Sequence, residues 1–411
     1  MPQLTYPGHI GGTMVRPATA LTTVKFNPGY YWAALMGSGP SADNSMYGVL
    51  NWPDIKTEVN ATNNALRGAL LRFGWREIET SKGVYTAAGI KKAHNEMAAL
   101  SNGPKKVAIM FELRSTATDA IPGLCVPDYI DTESVYQGGT YLSGSTNTKG
   151  NINRYMRLWV PEIVERLKLV ADFLASELDG LPHFEMLQFS EPIIGAAMDG
   201  EVVPAGYNST NSNANGSYAK GMRDTILYFN QKFQQTIVTQ LLNYPQALNT
   251  NYIPVLRDAG VGISCPNSMK DEPGLVRTTG EIGIWPWMQR TDAQKVHDVT
   301  IVAPHIQKPE CYYSNMSFDN PSLDGLGTKP GENATPPYGV NGAKEIVDFA
   351  KTGHPNYIFI TRAPMDTRPN VVNNNPNGII YTDWLDFLRL PAQMGNAAGG
   401  LNDTLPSKLA P

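Results

Sequence analysis

Residues 70–111 read LLRFGWREIETSKGVYTAAGIKKAHNEMAALSNGPKKVAIMF. The segment opens on a short apolar run, LLRFGW. A stretch from Tyr85 to Leu100 follows with apolar residues at three- and four-residue steps, and the segment ends on a second apolar run, Lys106 to Phe111. Runs rich in aliphatic and aromatic residues separated by a helix-period segment predict a strand, a crossover helix and a parallel strand. Working outward, the same alternation recurs. A first strand is expected at Tyr30 to Met36 and a helix-like pattern at Ile55 to Leu70. A long amphipathic helix over Leu158 to Glu177 leads to a fourth strand, Phe184 to Phe189. A helix from Met222 to Leu242 precedes a fifth strand at Gly260 to Ser264 and a sixth at Val299 to Ala303. A helix from Gly342 to Lys351 leads to a seventh strand, Tyr357 to Thr361, and Gly378 to Tyr381 would be the eighth, before a closing helix. Eight such units predict an α/β fold, a (β/α)8 TIM barrel with long polar loop insertions.

The boundaries expected from this reading are an N-terminal arm over 1–24, a barrel domain over 25–392 and a C-terminal tail over 393–411. Polar insertions, expected as surface loops, fall at about 115–151 and 200–220. The chain has 411 residues, 42% of them hydrophobic, which is enough for one large core. Charged residues make up only 17%, against about 25% in an average soluble protein, and there are 38 glycines and 31 prolines. The formal net charge is −4 with no block of Lys and Arg, so no nucleic-acid partner is expected. No run of apolar residues is long enough to span a membrane, so no membrane partner is expected and the chain reads as soluble. The opening MPQLTYPGHIGG has neither a basic nor an apolar signal region, which leaves a cytoplasmic or virion-associated location as the expectation. Cys125, Cys265 and Cys311 lie far apart, and the six histidines do not cluster, so neither a structural zinc site nor a disulfide framework is expected. Signatures for dinucleotides, nucleoside triphosphates, zinc proteases and α/β-hydrolases are missing, and no cofactor is expected. The Asn- and Asp-rich loops leave an oxygen-ligand calcium site open.

In a barrel of this kind the chemistry gathers where the strands end at the C-terminal face. The residues read there are Arg72 and Trp75, Glu112 and Arg114, Ser190 and Glu191, His305, Gln307 and Glu310, Arg362 and Asp366, and Tyr381, Asp383 and Trp384. Carboxylates, arginines, a histidine and aromatic rings together suit a carbohydrate, whose ring faces stack on aromatic planes while its hydroxyls bond polar groups. The stretch LRFGWREIETSKGVYTAAGIKKA resembles the second βα unit of clan-A glycoside hydrolases, in which an Arg at the strand end is followed by a pattern close to W..iE...G.Y. The resemblance is close over about 25 residues and otherwise runs strand by strand. It implies that Glu191, in Ser190-Glu191-Pro192 at the end of the fourth strand, corresponds to the general acid/base. Ser190 then stands where the clan has an Asn that contacts the sugar. The clan's nucleophilic Glu ends the seventh strand; the expected seventh strand here runs into Thr361-Arg362-Ala363-Pro364 without one.

If the chain is catalytic, Glu310 past the sixth strand or Asp366 past the seventh would supply the second carboxyl group from a displaced position. Glu310 is favoured because it follows the polar run His305 to Gln307 and precedes Tyr312 and Tyr313. His305 or Tyr313 would match the ring the clan carries near the sugar, and Trp384 its aromatic platform. The expected substrate-binding residues are thus Arg72, Trp75, Glu112, Ser190, His305, Gln307, Tyr313, Arg362, Tyr381 and Trp384. Plainer readings compete. Arg72 could be a structural partner of Glu112 or Glu191, Glu79 and Lys82 would lie on a solvated turn, Glu310 and Asp366 suit ordinary turns, and Trp285 and Trp287 suit either stacking or packing. The leading expectation is a glycosidase acting on a poly- or oligosaccharide. Its rival is a non-catalytic glycan-binding or structural barrel, for example in a phage tail or capsid, with homo-oligomer or virion assembly as the partner.

Overall fold

The computed structural model describes residues 24–34, 52–62, 65–117, 126–146, 152–190, 212–213, 215–242, 246–266, 268, 284–306, 339–361, 381–390 and 398–410. Eight parallel strands form one sheet: β1 Gly29–Ala33, β2 Leu66–Gly74, β3 Lys106–Glu112, β4 Phe184–Phe189, β5 Ile237–Leu241, β6 Gly262–Ser264, β7 His305–Ile306 and β8 Tyr357–Thr361. Pairing runs β6-β5-β4-β3-β2-β1-β8-β7. The two ends of that order meet. Ile263 in β6 bridges Val302 just ahead of β7, its N–H donating to the Ile301 carbonyl at 2.8 Å while its own carbonyl accepts from Ala303 N–H at 2.9 Å. His305 N–H then donates to the Cys265 carbonyl at 2.8 Å. The sheet is closed, and the fold is a (β/α)8 barrel.

A helix follows each strand: α1 Trp52–Ala61, α2 Ala88–Ala98, α3 Pro161–Leu178, α4 Tyr218–Lys232, α5 Gln246–Asp258, α6 Ile284–Met288, α7 Gly339–Lys351 and α8 Tyr381–Leu388. Strand side chains alternate between two apolar environments, which is why the strands read as unbroken apolar runs. Tyr31, Leu70, Met110, Met186, Leu241 and Phe359 fill the barrel interior. Trp32, Leu71, Phe111, Leu187, Ile306 and Ile360 belong to the larger core between sheet and helices.

Several expectations are corrected by the pairing. Residues 237–241, read as the end of a helix, are β5, and the helix stops at Lys232. The expected fifth and seventh strands are therefore the sixth and eighth, with Tyr357–Thr361 closing onto β1, whereas the expected sixth, Val299–Ala303, falls just ahead of β7 and joins the sheet through the Val302 bridge to Ile263. Tyr381 opens α8 rather than ending a strand; the rest of the expected eighth strand lies outside the described residues. The insertion expected as a surface loop contains a three-stranded antiparallel sheet, Arg114–Ala117, Ile152–Met156 and Thr140–Thr146.

Two further segments meet at the N-terminal end of the barrel. The segment expected as a C-terminal tail packs there over 398–410: Gly399 carbonyl accepts from Tyr30 Oη at 3.1 Å, Ser407 N–H donates to the Asp298 carbonyl at 2.8 Å, and Leu409 is buried in the interior cluster. Val24, the one described residue of the expected arm, is buried in the same cluster. The buried Glu185 carboxylate accepts from Asn27 N–H at 2.6 Å, Asn27 Nδ2 at 2.8 Å and Tyr357 Oη at 2.6 Å, so the charge at this end is fully bonded.

Candidate functional site

At the opposite, C-terminal end of the strands the interior changes from apolar to polar. β2 brings Arg72 into register with Met110 of β3, and Met110 in turn with Gln188 of β4, so the three lie at one level of the sheet. Glu112 stands two residues further along β3, and Arg72 Nη1 donates to its Oε1 at 3.1 Å. Side-chain exposures of 17% for Arg72 and 6% for Glu112 place this ion pair near the mouth, only partly withdrawn from water. Two opposite charges neutralise each other here, as burial requires.

Below the pair, His305 of β7 is fully buried. Its Nε2 donates to Gln188 Oε1 at 2.6 Å, and its ring lies against Phe359 with centroids 4.9 Å apart. Burial, with a smaller contribution from the Arg72 guanidinium, pushes the imidazole well below its ordinary value, so it is uncharged at neutral pH. Among the described residues, three buried polar atoms of this layer have no hydrogen-bond partner: Arg72 Nε, Gln188 Nε2 and His305 Nδ1. A buried polar atom left unbonded costs free energy that a bound water or ligand would recover.

Ser190 is also here, but its role differs from the expected sugar contact. It is buried, its Oγ accepts the Leu113 N–H at 2.9 Å, and its carbonyl accepts Gln240 Nε2 at 2.7 Å. The hydroxyl thus extends the β3–β4 ladder past the strand end. Trp75, expected to bind substrate, and Trp384, expected as the aromatic platform, are both buried. Trp75 has no exposed surface, and its Nε1 donates to Glu79 Oε2 at 2.8 Å; Trp384 is buried in the outer core, edge-on to Phe387 at 6.2 Å. A buried ring offers no face to a ligand. Trp285 and Trp287 take the packing alternative, with Trp285 stacked on Phe349 at 4.8 Å.

Glu79, expected on a solvated turn, is fully buried. It accepts from Trp75 Nε1 and from Gly83 N–H at 2.8 Å, and pairs with Arg166 of α3. Arg166 also bonds Tyr85 Oη at 3.0 Å and Tyr129 Oη at 2.8 Å. The W..iE...G.Y pattern is thereby explained as a staple that fixes the Glu79–Tyr85 turn to α3. Lys82 lies on the surface as expected, paired with Glu133.

Of the remaining expected residues, Glu191, Gln307, Glu310, Tyr313, Arg362 and Asp366 lie outside the described residues, and Tyr381 is described only as the first residue of α8. Gln188 is not among the site residues expected from the sequence; a polar residue near the end of the apolar run FEMLQF is its only signal. The strand order also relabels two positions. Glu310 comes four residues after the end of β7, and Asp366 five residues after the end of β8. Among the described residues no group of three or more His, Cys, Asp or Glu could hold a metal, and no helix is long and apolar enough to cross a membrane.

The chain matches no protein-family model and no curated protein. Solved structures similar to it include the β-amylase catalytic domain of Paenibacillus polymyxa, at 10% identity and a TM-score of 0.48, covering 89% of this chain and 98% of that one. Endo-glycoceramidase II from Rhodococcus sp. is similar at 12% identity and a TM-score of 0.48, covering 89% of this chain and 80% of that one. An exo-β-1,4-mannosidase from an Opitutaceae bacterium is similar at 11% identity and a TM-score of 0.47, covering 94% and 63%. The barrel assignment itself rests on the strand pairing.

Proposed function

We propose that the chain is a glycoside hydrolase-like barrel that acts on a poly- or oligosaccharide through two carboxyl groups at the C-terminal mouth. The observation that supports this is the rank of His305–Ile306 as seventh strand. With that count, a Glu follows the fourth strand (Glu191) and a Glu follows the seventh (Glu310), the two strand ends that carry catalytic carboxyls in the clan the sequence resembles. On this count the position of the clan's nucleophile falls after His305–Ile306 and not after Tyr357–Thr361. Asp366, after β8, becomes the weaker candidate.

In this reading Glu191 donates a proton to the departing glycosidic oxygen, and Glu310 either attacks the anomeric carbon or activates water, according to the separation of the two groups. The described part of the mouth suits a neutral sugar. Arg72 and Glu112 cancel each other's charge, and the buried His305 is neutral, so the layer supplies hydrogen bonds without a net charge to attract an ion. One observation favours the rival reading, a non-catalytic glycan-binding or structural barrel such as a virion component: the Ser190 hydroxyl is engaged by Leu113 N–H where the clan keeps an Asn for the sugar. A polysaccharide panel with the Glu191→Gln and Glu310→Gln variants separates the two. Each variant is expected to lose about 10²- to 10⁴-fold in kcat on a glycan the native chain cleaves, with binding retained. Unaltered turnover in Glu191→Gln contradicts the catalytic assignment.

A further inference from the structure

The polar layer contains a device that the resemblance does not supply. Gln188 and His305 stand on β4 and β7, the two strands that lead to Glu191 and Glu310, and their side chains meet across the interior at 2.6 Å. Gln188 Oε1 can only accept, so the shared proton belongs to His305 Nε2. An uncharged imidazole carries one N–H, which leaves Nδ1 a bare lone pair. Gln188 Nε2 correspondingly keeps its donor hydrogens, and neither atom has a partner among the described residues. Both side chains are fully buried.

We propose that Gln188 is a positioning residue that locks His305 in the Nε2–H tautomer, so that Nδ1 serves as a fixed hydrogen-bond acceptor for a hydroxyl group. This gives the layer a chemical preference. A hydroxyl can donate to Nδ1 and accept from an amide or guanidinium N–H, whereas an anion such as phosphate meets a lone pair and, among the described residues of the layer, an Arg72 already held by Glu112. The hydroxyl can come from water or from a sugar, and the sugar arm rests on the glycan reading above.

The test uses the full chain labelled with ¹⁵N-histidine, the His305 signals being assigned with His305→Gln. At neutral pH, long-range ¹H–¹⁵N spectra are expected to show a protonated Nε2 and an unprotonated Nδ1. Titrated D-glucose is expected to shift the Nδ1 resonance, and inorganic phosphate to leave it in place. In Gln188→Met the single tautomer gives way to a mixture, and the glucose response weakens ~10-fold or more. A His305 protonated on Nδ1, or a response to phosphate in place of glucose, overturns the proposal. An Nδ1 insensitive to glucose assigns the acceptor to water and overturns the sugar arm. Should Gln188→Met fail to fold, the native tautomer and the glucose–phosphate contrast still decide. Absence of glycan cleavage with the glucose shift intact removes only the catalytic reading, and cleavage with His305 unmoved removes only the sugar arm of this one.

Discussion

Polar side chains in this barrel divide by what they bond. Glu79, Glu185 and Ser190 have their described acceptor atoms engaged by protein donors, and each holds one element against another. Arg72, Gln188 and His305 retain unbonded polar atoms, and all three lie on the C-terminal side of the strands. Sequence reading reached Arg72, Glu112 and His305 because a charged or titratable residue ending an apolar run stands out. It did not reach Gln188, whose value comes from a partner 117 positions away. Trp75 and Trp384 read as substrate-binding residues in the sequence, since an aromatic ring near a strand end reads the same whether it faces a ligand or a helix. The buried His305 carries a pH prediction. Its folded value lies well below the ordinary one, so the unfolded chain binds a proton first as the pH falls. The stability it contributes is complete above about pH 6.5 and is lost below it, by up to about 1.4 kcal/mol per pH unit until the folded value is reached. His183 and His354 are displaced the same way by burial and, being less buried, add less. Urea unfolding of the native chain and of His305→Gln across this range should give a shallower acid slope for the variant; parallel slopes contradict a neutral buried His305.

The most instructive element is β5. Phe229, Phe233, Ile237 and Leu241 recur every four residues, so the helical period runs unbroken into a strand. What ends α4 and starts β5 comes from elsewhere in the chain. The Asp179 carboxylate, just past α3, accepts the N–H groups of Gln234, Gln235 and Thr236 at 2.8, 3.0 and 2.9 Å, and satisfying three consecutive donors holds the backbone out of the helix. Lys25 adds a tie to the same corner, donating to the carbonyls of Asp179 and Leu181 at 2.9 and 3.0 Å, and burial lowers its ammonium to about 8. No local pattern encodes such contacts. The clearest helix, α3, was legible to within a few residues because its buried stripe Ile163, Val164, Leu167, Val170, Ala171 and Leu174 is local. Helix α4 supplies the element-scale prediction. A Cβ on Gly221 would lie 1.7 Å from the Leu158 carbonyl oxygen. Helix propensity favours Ala over Gly by about 1 kcal/mol, but the obstructing atom is backbone. Gly221→Ala is therefore expected to lower the unfolding free energy by about 1–3 kcal/mol. A stabilised variant would show that α4 does not approach Leu158 so closely.

At the scale of the molecule, the two ends of the barrel are built for different work. The N-terminal end is sealed by Val24, by Leu409 of the terminal segment and by the saturated Glu185. The C-terminal end keeps a neutral polar layer with open valences beneath the Arg72–Glu112 pair. The repeated βα alternation and the barrel class are legible in the sequence, but β5 is hidden in a helix-period segment, so each later strand ranks one higher than the sequence reading places it. The closure itself was not legible, because β7 is two residues long and is held by Cys265, Ile263 and Phe359 from distant segments. Under the proposed function Glu191 and Glu310 supply the two carboxyl groups of one site, and a crystal structure with both side chains resolved measures their separation directly. A carboxyl separation of about 5 Å predicts a retaining reaction and one of about 6.5–9.5 Å an inverting one. Carboxyl groups more than about 10 Å apart, or either one turned away from the mouth, would contradict the account.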